Sequence, residues 1–92
     1  MRKIDRSRRF DKDYKRVSAG YLRKVLDEEL NRIIVLLASD VPLPPKFSDH
    51  PLSGEWKGYR DCHVRLDLLL IYRKQDDNSL VLARLGSHSE LF

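Results

Sequence analysis

Three prolines within four residues, Pro42, Pro44 and Pro45, divide this 92-residue chain into halves that follow different periodicities. Proline lacks an amide hydrogen and disfavours helix at the residue before it, so helix formation must stop at Ser39–Pro45. Ahead of the break, apolar residues recur at helical spacing. Phe10, Tyr14 and Val17 fall at i, i+4 and i+7 and predict a first helix, capped by Ser7 or Asp11 and interrupted by Ser18-Ala19-Gly20. A second helix is expected from about Tyr21 to Ala38. Its apolar stripe is Leu22, Val25, Leu26, Leu30, Ile33, Ile34 and Leu37, with Arg23, Lys24, Asp27, Glu28 and Arg32 outward. The tight Gly-containing turn between them predicts an antiparallel helical hairpin. Arg2–Ser7, charged with one apolar residue, reads as a weak edge strand.

Beyond the prolines the period becomes two. Gly58–Val64 alternates, placing Tyr59, Asp61 and His63 on one face and Arg60, Cys62 and Val64 on the other. Leu68–Arg73 is a continuous apolar run, expected of a central strand covered on both faces. Gln75–Ser79 is a turn. Leu80–Gly86 is a third strand, with Leu80, Leu82 and Arg84 expected opposite Val81, Ala83 and Leu85. The segment after the prolines is too short to fold alone, so residues 1–92 form one domain. The expected class is α+β: an N-terminal edge strand and a two-helix hairpin packed on one face of a small antiparallel sheet.

Charge is unevenly placed over this plan. Residues 1–46 hold twelve Lys/Arg against seven Asp/Glu, and residues 47–92 hold six against seven. The basic half offers a surface to a polyanion or an acidic partner. All three histidines, His50, His63 and His88, lie in the near-neutral half. No stretch approaches the roughly 20 apolar residues that span a bilayer, and the basic N-terminus lacks the apolar run that a secretory signal requires. One cysteine, Cys62, excludes an internal disulfide and fits a reducing compartment, with the cytoplasm as the expected location.

Histidines beside carboxylates suit metal-free cleavage of RNA. Attack by the ribose 2′-hydroxyl needs a base, departure of the 5′-oxygen needs an acid, and cations must hold the charge on the phosphate. An imidazole, with its ordinary pKa of ~6.5, serves as either base or acid; a guanidinium donates twice to a phosphate. Strand parity joins His63 to Asp61. Asp67 comes at the next turn, His50 lies in the loop after the prolines, and His88 comes after Arg84. Taken singly, each also reads as an ordinary surface residue: Asp61–His63 as a surface pair, Arg84 as a cross-strand ion-pair partner. His50, His63 and Asp67 are possible metal ligands, but no HExxH, paired-cysteine or acidic spacing accompanies them. Cys62 points away from Asp61 and His63, toward the expected core.

Asp49-His50-Pro51-Leu52, Trp56–His63, Asp67–Tyr72 and Gly86–Phe92 together resemble the YafQ branch of the RelE-type toxins. The four blocks occur in that family's order and spacing, and with the helices cover essentially the whole chain. The resemblance implies a ribosome-dependent endoribonuclease of a type II toxin–antitoxin system that cuts messenger RNA in the ribosomal A site. It implies a cognate antitoxin, the 70S ribosome and messenger as partners, promoter DNA only through the antitoxin complex, no membrane, and no cofactor or metal. By position, its functional histidines fall on His50, His63 and His88, its acidic residues on Asp61 and Asp67, its C-terminal aromatic on Phe92 and a basic position on Arg84. His88 is the expected acid and Asp61 or His63 the base, with His50 and Asp67 orienting. Arg8, Arg9, Lys12, Lys15 and Arg16 are expected to grip RNA. Leu68 stands where the branch commonly has Trp, and Leu66 where it often has Pro. The competing class is a non-catalytic basic module that blocks translation sterically.

Overall fold

The structure, a computed structural model, describes residues 1–20 and 23–92. Tyr21 and Leu22, the expected start of the second helix, lie outside the described residues. Strand β1 (Lys3–Arg6) leads into α1 (Arg8–Ser18) and α2 (Arg23–Ala38). After the prolines come β2 (His50–Pro51), β3 (Arg60–Arg65), β4 (Leu68–Gln75), β5 (Ser79–Gly86) and a final turn of helix, α3 (His88–Leu91). Short 3-10 turns occupy Pro45–Phe47 and Gly54–Trp56. The five strands form one sheet in the order β1-β5-β4-β3-β2.

The α+β plan holds, with one difference in the sheet. β2 to β5 pair antiparallel, but β1 lies parallel to β5, Lys3 facing Ser79 and Arg6 facing Leu82. Two helices separate β1 from the other strands, so no hairpin turn dictates its direction, and a parallel neighbour needs such a long connection.

Ser7 caps α1, its hydroxyl accepting from the Phe10 amide at 2.9 Å. The buried stripes of both helices pack on one sheet face. Phe10, Val17, Leu26, Leu30, Ile33 and Leu37 meet Cys62, Val64, Leu70, Tyr72, Leu80, Leu82 and Leu85 there. The other face holds a smaller cluster: Leu69, Ile71, Ala83 and Leu91, flanked by Leu52, Trp56 and Tyr59. β4 is therefore covered on both sides, as its unbroken apolar run requires.

Leu85 departs from simple alternation. Ile71 pairs with Arg84 but Tyr72 with Leu82, so β5 carries a bulge at Ala83. The extra residue reverses parity beyond it, and Leu85 joins Leu80 and Leu82 against the helices instead of Val81 and Ala83.

β1 ends opposite Leu82, which leaves the edge of β5 that faces away from β4 without a strand neighbour beyond that point. Side chains of the α1 segment take over. Ser7 Oγ donates to the Ala83 carbonyl at 2.7 Å, Arg16 Nη2 donates to the Leu85 carbonyl at 3.0 Å, and Asp13 accepts from the Leu85 amide at 3.0 Å. Asp13 is buried and also accepts from Arg84 Nε at 2.7 Å, Arg84 Nη2 at 3.2 Å and Arg16 Nη1 at 2.8 Å. Burial alone would raise its pKa; the bonds from Arg84, Leu85 and Arg16 outweigh that and hold it below the ordinary 3.8.

Removing one partner of a buried ion pair costs about 3–5 kcal/mol, because the other charge is left uncompensated. Asp13→Ala is expected to lower unfolding free energy by about that much in urea titration. Asp11→Ala, which loses only the exposed 3.5 Å contact to Arg6, should cost under about 1 kcal/mol. Because the folded-state pKa of Asp13 is lowered, its contribution is present above the ordinary carboxylate value and lost as pH falls below it. The gap between wild type and Asp13→Ala should therefore narrow in acid.

Candidate active site

The site grows from the short edge strand β2. Pro45–Phe47 closes on Ser48, whose φ of 50° lies in the left-handed region and turns the chain toward β3. Asp49 is then clamped: the Tyr72 hydroxyl donates to it at 2.5 Å and Arg60 Nε at 3.2 Å. Burial, and then this bond, push the Tyr72 hydroxyl well above its ordinary range, so it remains a donor. The clamp sets the register His50 opposite Asp61.

His50 Nδ1 lies 2.7 Å from the Ser48 carbonyl and 3.2 Å from Asp61 Oδ1. Both are acceptors, so Nδ1 carries the hydrogen and the neutral ring keeps its lone pair on Nε2. The contact to Asp61 has ion-pair distance without hydrogen-bond alignment, and Asp61 Oδ1 is buried with no hydrogen-bond partner. Asp61 sits opposite Ile71, on the sheet face away from α1 and α2. Burial raises its pKa above the ordinary value; His50, His63 and His88 pull against that, and Asp49 adds to it. One under-solvated carboxylate thus lies in the field of three imidazoles carried by β2, β3 and α3.

His88 is held through its backbone. Ser87 and Glu90 form a capping box, the Ser87 hydroxyl accepting from the Glu90 amide and Glu90 accepting from the Ser87 amide at 2.8 Å. Asp67 Oδ1 accepts from the His88 amide at 3.2 Å, and Arg16 Nε lies 3.0 Å from Glu90 Oε2. Gly86 makes room for this joint: a Cβ there would stand 2.9 Å from both Arg16 Nη2 and Glu90 Oε1. The exposed Phe92 ring lies 5.1 Å from the His88 ring, inclined by 42°.

Of the residues singled out from sequence, His50, Asp61, His63 and His88 share this field, Phe92 adjoins His88, and Asp67 touches its amide. Arg84 is engaged elsewhere: Nε and Nη2 hold Asp13, and its side chain is 12% exposed. Arg16 is committed to Asp13, Leu85 and Glu90. Arg8, Arg9, Lys12 and Lys15 are exposed on α1, with no carboxylate at ion-pair distance among the described residues. They lie on the helical side of the sheet, away from the Asp61 face. Leu68 is buried in the helix-side core, so it packs. Cys62 is also buried there, with its thiol pushed up by desolvation.

Asp49, Arg60 and Tyr72, which anchor His50, and Ser87, Glu90 and Asp13, which anchor α3, were absent from the expected site, although all but Asp13 lie in the blocks that carry the family resemblance. The Ser87–Glu90 spacing is a capping signature that would have placed the last helix. No local spacing marks the anchoring roles of Asp49 and Asp13, because their partners are remote in sequence.

Asp61→Asn removes a charge whose raised pKa makes it unfavourable in the folded state as pH rises. At pH 7 this substitution is expected to leave the urea midpoint unchanged or raise it, in contrast to Asp13→Ala.

Comparison with known proteins agrees with this architecture. The family model described as bacterial toxin of type II toxin-antitoxin system, YafQ, matches residues 2–92. The mRNA interferase toxin YafQ of Escherichia coli strain K12 is 39% identical over 96 residues, spanning 100% of this chain and 97% of the relative. Among solved structures, a copper-bound mutant toxin from Helicobacter pylori superposes with TM-score 0.91 at 42% identity, covering 100% of both chains. The E. coli DinJ–YafQ complex gives 0.85 at 39% identity, covering 100% of this chain and 99% of the other. In the present chain no three His, Cys, Asp or Glu side chains among the described residues are placed to hold a metal together. By sequence and fold together, the chain belongs to the YafQ family of bacterial type II toxins.

Proposed function

We propose that this chain is an mRNA interferase that cuts messenger RNA in the ribosomal A site by acid–base catalysis and so arrests translation. The observation that supports this most directly is the buried carboxylate of Asp61 with His50 Nδ1 3.2 Å away, His63 two residues along the same strand and the charge of His88 also acting on it. His50, with Nδ1 occupied by two oxygens, has Nε2 free to take the 2′-hydroxyl proton. The freed oxygen attacks the adjacent phosphorus, and His88 protonates the departing 5′-oxygen, leaving a 2′,3′-cyclic phosphate. In its protonated form, His63 holds charge on the phosphate.

This revises the sequence-based assignment of the base to Asp61 or His63. The 4% exposure of the Asp61 side chain supports a role for it through the rings. Asp67 serves by fixing the His88 backbone, and Phe92 by stacking on a base, a contact worth roughly 1–3 kcal/mol in single-strand binders. Arg84 retains Nη1 and one Nη2 hydrogen for a phosphate. The free cations Arg8, Arg9, Lys12 and Lys15 would face ribosomal RNA.

The same reading makes the toxin a cytoplasmic partner of the 70S ribosome and its message. An antitoxin comparable to the DinJ that accompanies E. coli YafQ would silence it, with promoter DNA bound only through that complex.

The test is cleavage of messenger on programmed ribosomes, with ends mapped in the presence of EDTA. In-frame cuts that persist in EDTA are expected. His50→Gln and His88→Gln should each lower the single-turnover rate by about 10²–10⁴. Arrest with intact messenger, unchanged by these substitutions, would instead establish the steric module, and loss of cutting in EDTA a metal-dependent reaction.

A further inference from the structure

β2 covers β3 only at Arg60 and Asp61, so from Cys62 to Arg65 the outer edge of β3 is bare of a strand partner among the described residues, with the Pro45–Phe47 turn packed beside it. A cleft of about 510 Å³ opens along this bare edge, between it, α2 and the turn at Lys46-Phe47. His63, two residues from Asp61 on β3, lines the cleft as well. Arg32, Lys46 and Arg65 bring three positive charges to it, against one carboxylate, Glu29. Glu29 is already engaged by Arg65 at 3.3 Å. Arg32 and Lys46 have no carboxylate at ion-pair distance among the described residues; Lys46 rests over the Phe47 ring, 5.0 Å from its centre. At the rim, Leu66 is 97% exposed on the β3–β4 turn.

We propose that this cleft is a second subsite for the messenger, holding the backbone phosphates of nucleotides next to the cut through Arg32 and Lys46. This rests on the interferase reading and extends it, because it gives the strand a direction away from His63. A single strand passing through the Asp61 cluster must leave it somewhere. The cleft brings Arg32 and Lys46, neither with a carboxylate at ion-pair distance among the described residues, next to His63, a proposed catalytic ring, whereas the exposed cations of α1 do not line it. Leu66 at the rim provides an apolar surface for a base, a role that does not require a fixed sequence.

Arg32→Ala/Lys46→Ala should raise KM several-fold on programmed ribosomes while kcat is retained. The slope of log(kcat/KM) against log salt should become shallower by about 1.4, given ~0.7 per phosphate contact on a single strand. Arg23→Ala/Lys24→Ala, which removes two exposed charges elsewhere on α2, should change neither. A photo-reactive phenylalanine in place of Leu66 should crosslink to a message nucleotide within a few positions of the cut. Unchanged KM and salt slope in the Arg32/Lys46 variant, or crosslinks confined to ribosomal RNA, would overturn the subsite. Failure of the interferase reading would look different, since wild-type protein would then leave every messenger intact.

Discussion

The carboxylate of Asp13 is the joint on which both ends of the fold bear. Because β1 stops opposite Leu82, the end of β5 would face α1 with unpaired backbone groups, and Asp13 closes that gap from inside the molecule. Its bonds to Arg84 and Arg16 do more than neutralise it. Arg16 passes from Asp13 to the Leu85 carbonyl and on to Glu90, so the first helix fixes the last one. His88 begins that last helix. A residue on the helical side of the sheet therefore sets where a ring stands at the other end of the chain.

Asp61 reverses the electrostatic logic of Asp13. Both carboxylates are buried, but Asp13 is saturated with donors and held low, while Asp61 has an oxygen without a hydrogen bond and is held high. The first arrangement stabilises the fold. The second leaves interaction capacity unspent in the free protein, available to imidazoles that gain charge as they work. Such under-satisfied groups are a usual cost of functional sites.

The pattern of apolar residues was enough to place both long helices and the three long strands, since each buries a full stripe or face, whereas β1, exposed at all four residues, was read from a charged segment with one apolar residue. It failed where geometry depends on a single residue or a distant partner. The bulge at Ala83 reversed the parity of Leu85, and a two-residue strand such as β2 has no period to detect. The site was legible in part for the same reason. His63 and Asp61 share a strand face, which alternation reveals. His50 stands beside Asp61 through the β2–β3 pairing and the anchoring of Asp49 by Tyr72 and Arg60, and His88 is seated by Arg16, Glu90 and Asp67. Motif blocks carried those two residues where physical spacing could not. Arg84 and Arg16 show the opposite limit: a cation in sequence looks available until the structure reveals a buried carboxylate already holding it.

Parallel pairing of β1 with β5 has a consequence for how the molecule comes into being. β1 precedes the other four strands in sequence, yet its strand neighbour among the described residues is the fifth, β5. Contacts of such sequence separation form late, after the entropy of closing a long loop has been met. The helices and the β3–β5 meander can assemble from nearer neighbours; the edge strand, the Asp13 joint and the seat of His88 all await β5. His50 and His63 meet through the local pairing of β2 with β3, so His88, carried beyond β5, is the ring that joins them only with the final closure of the sheet.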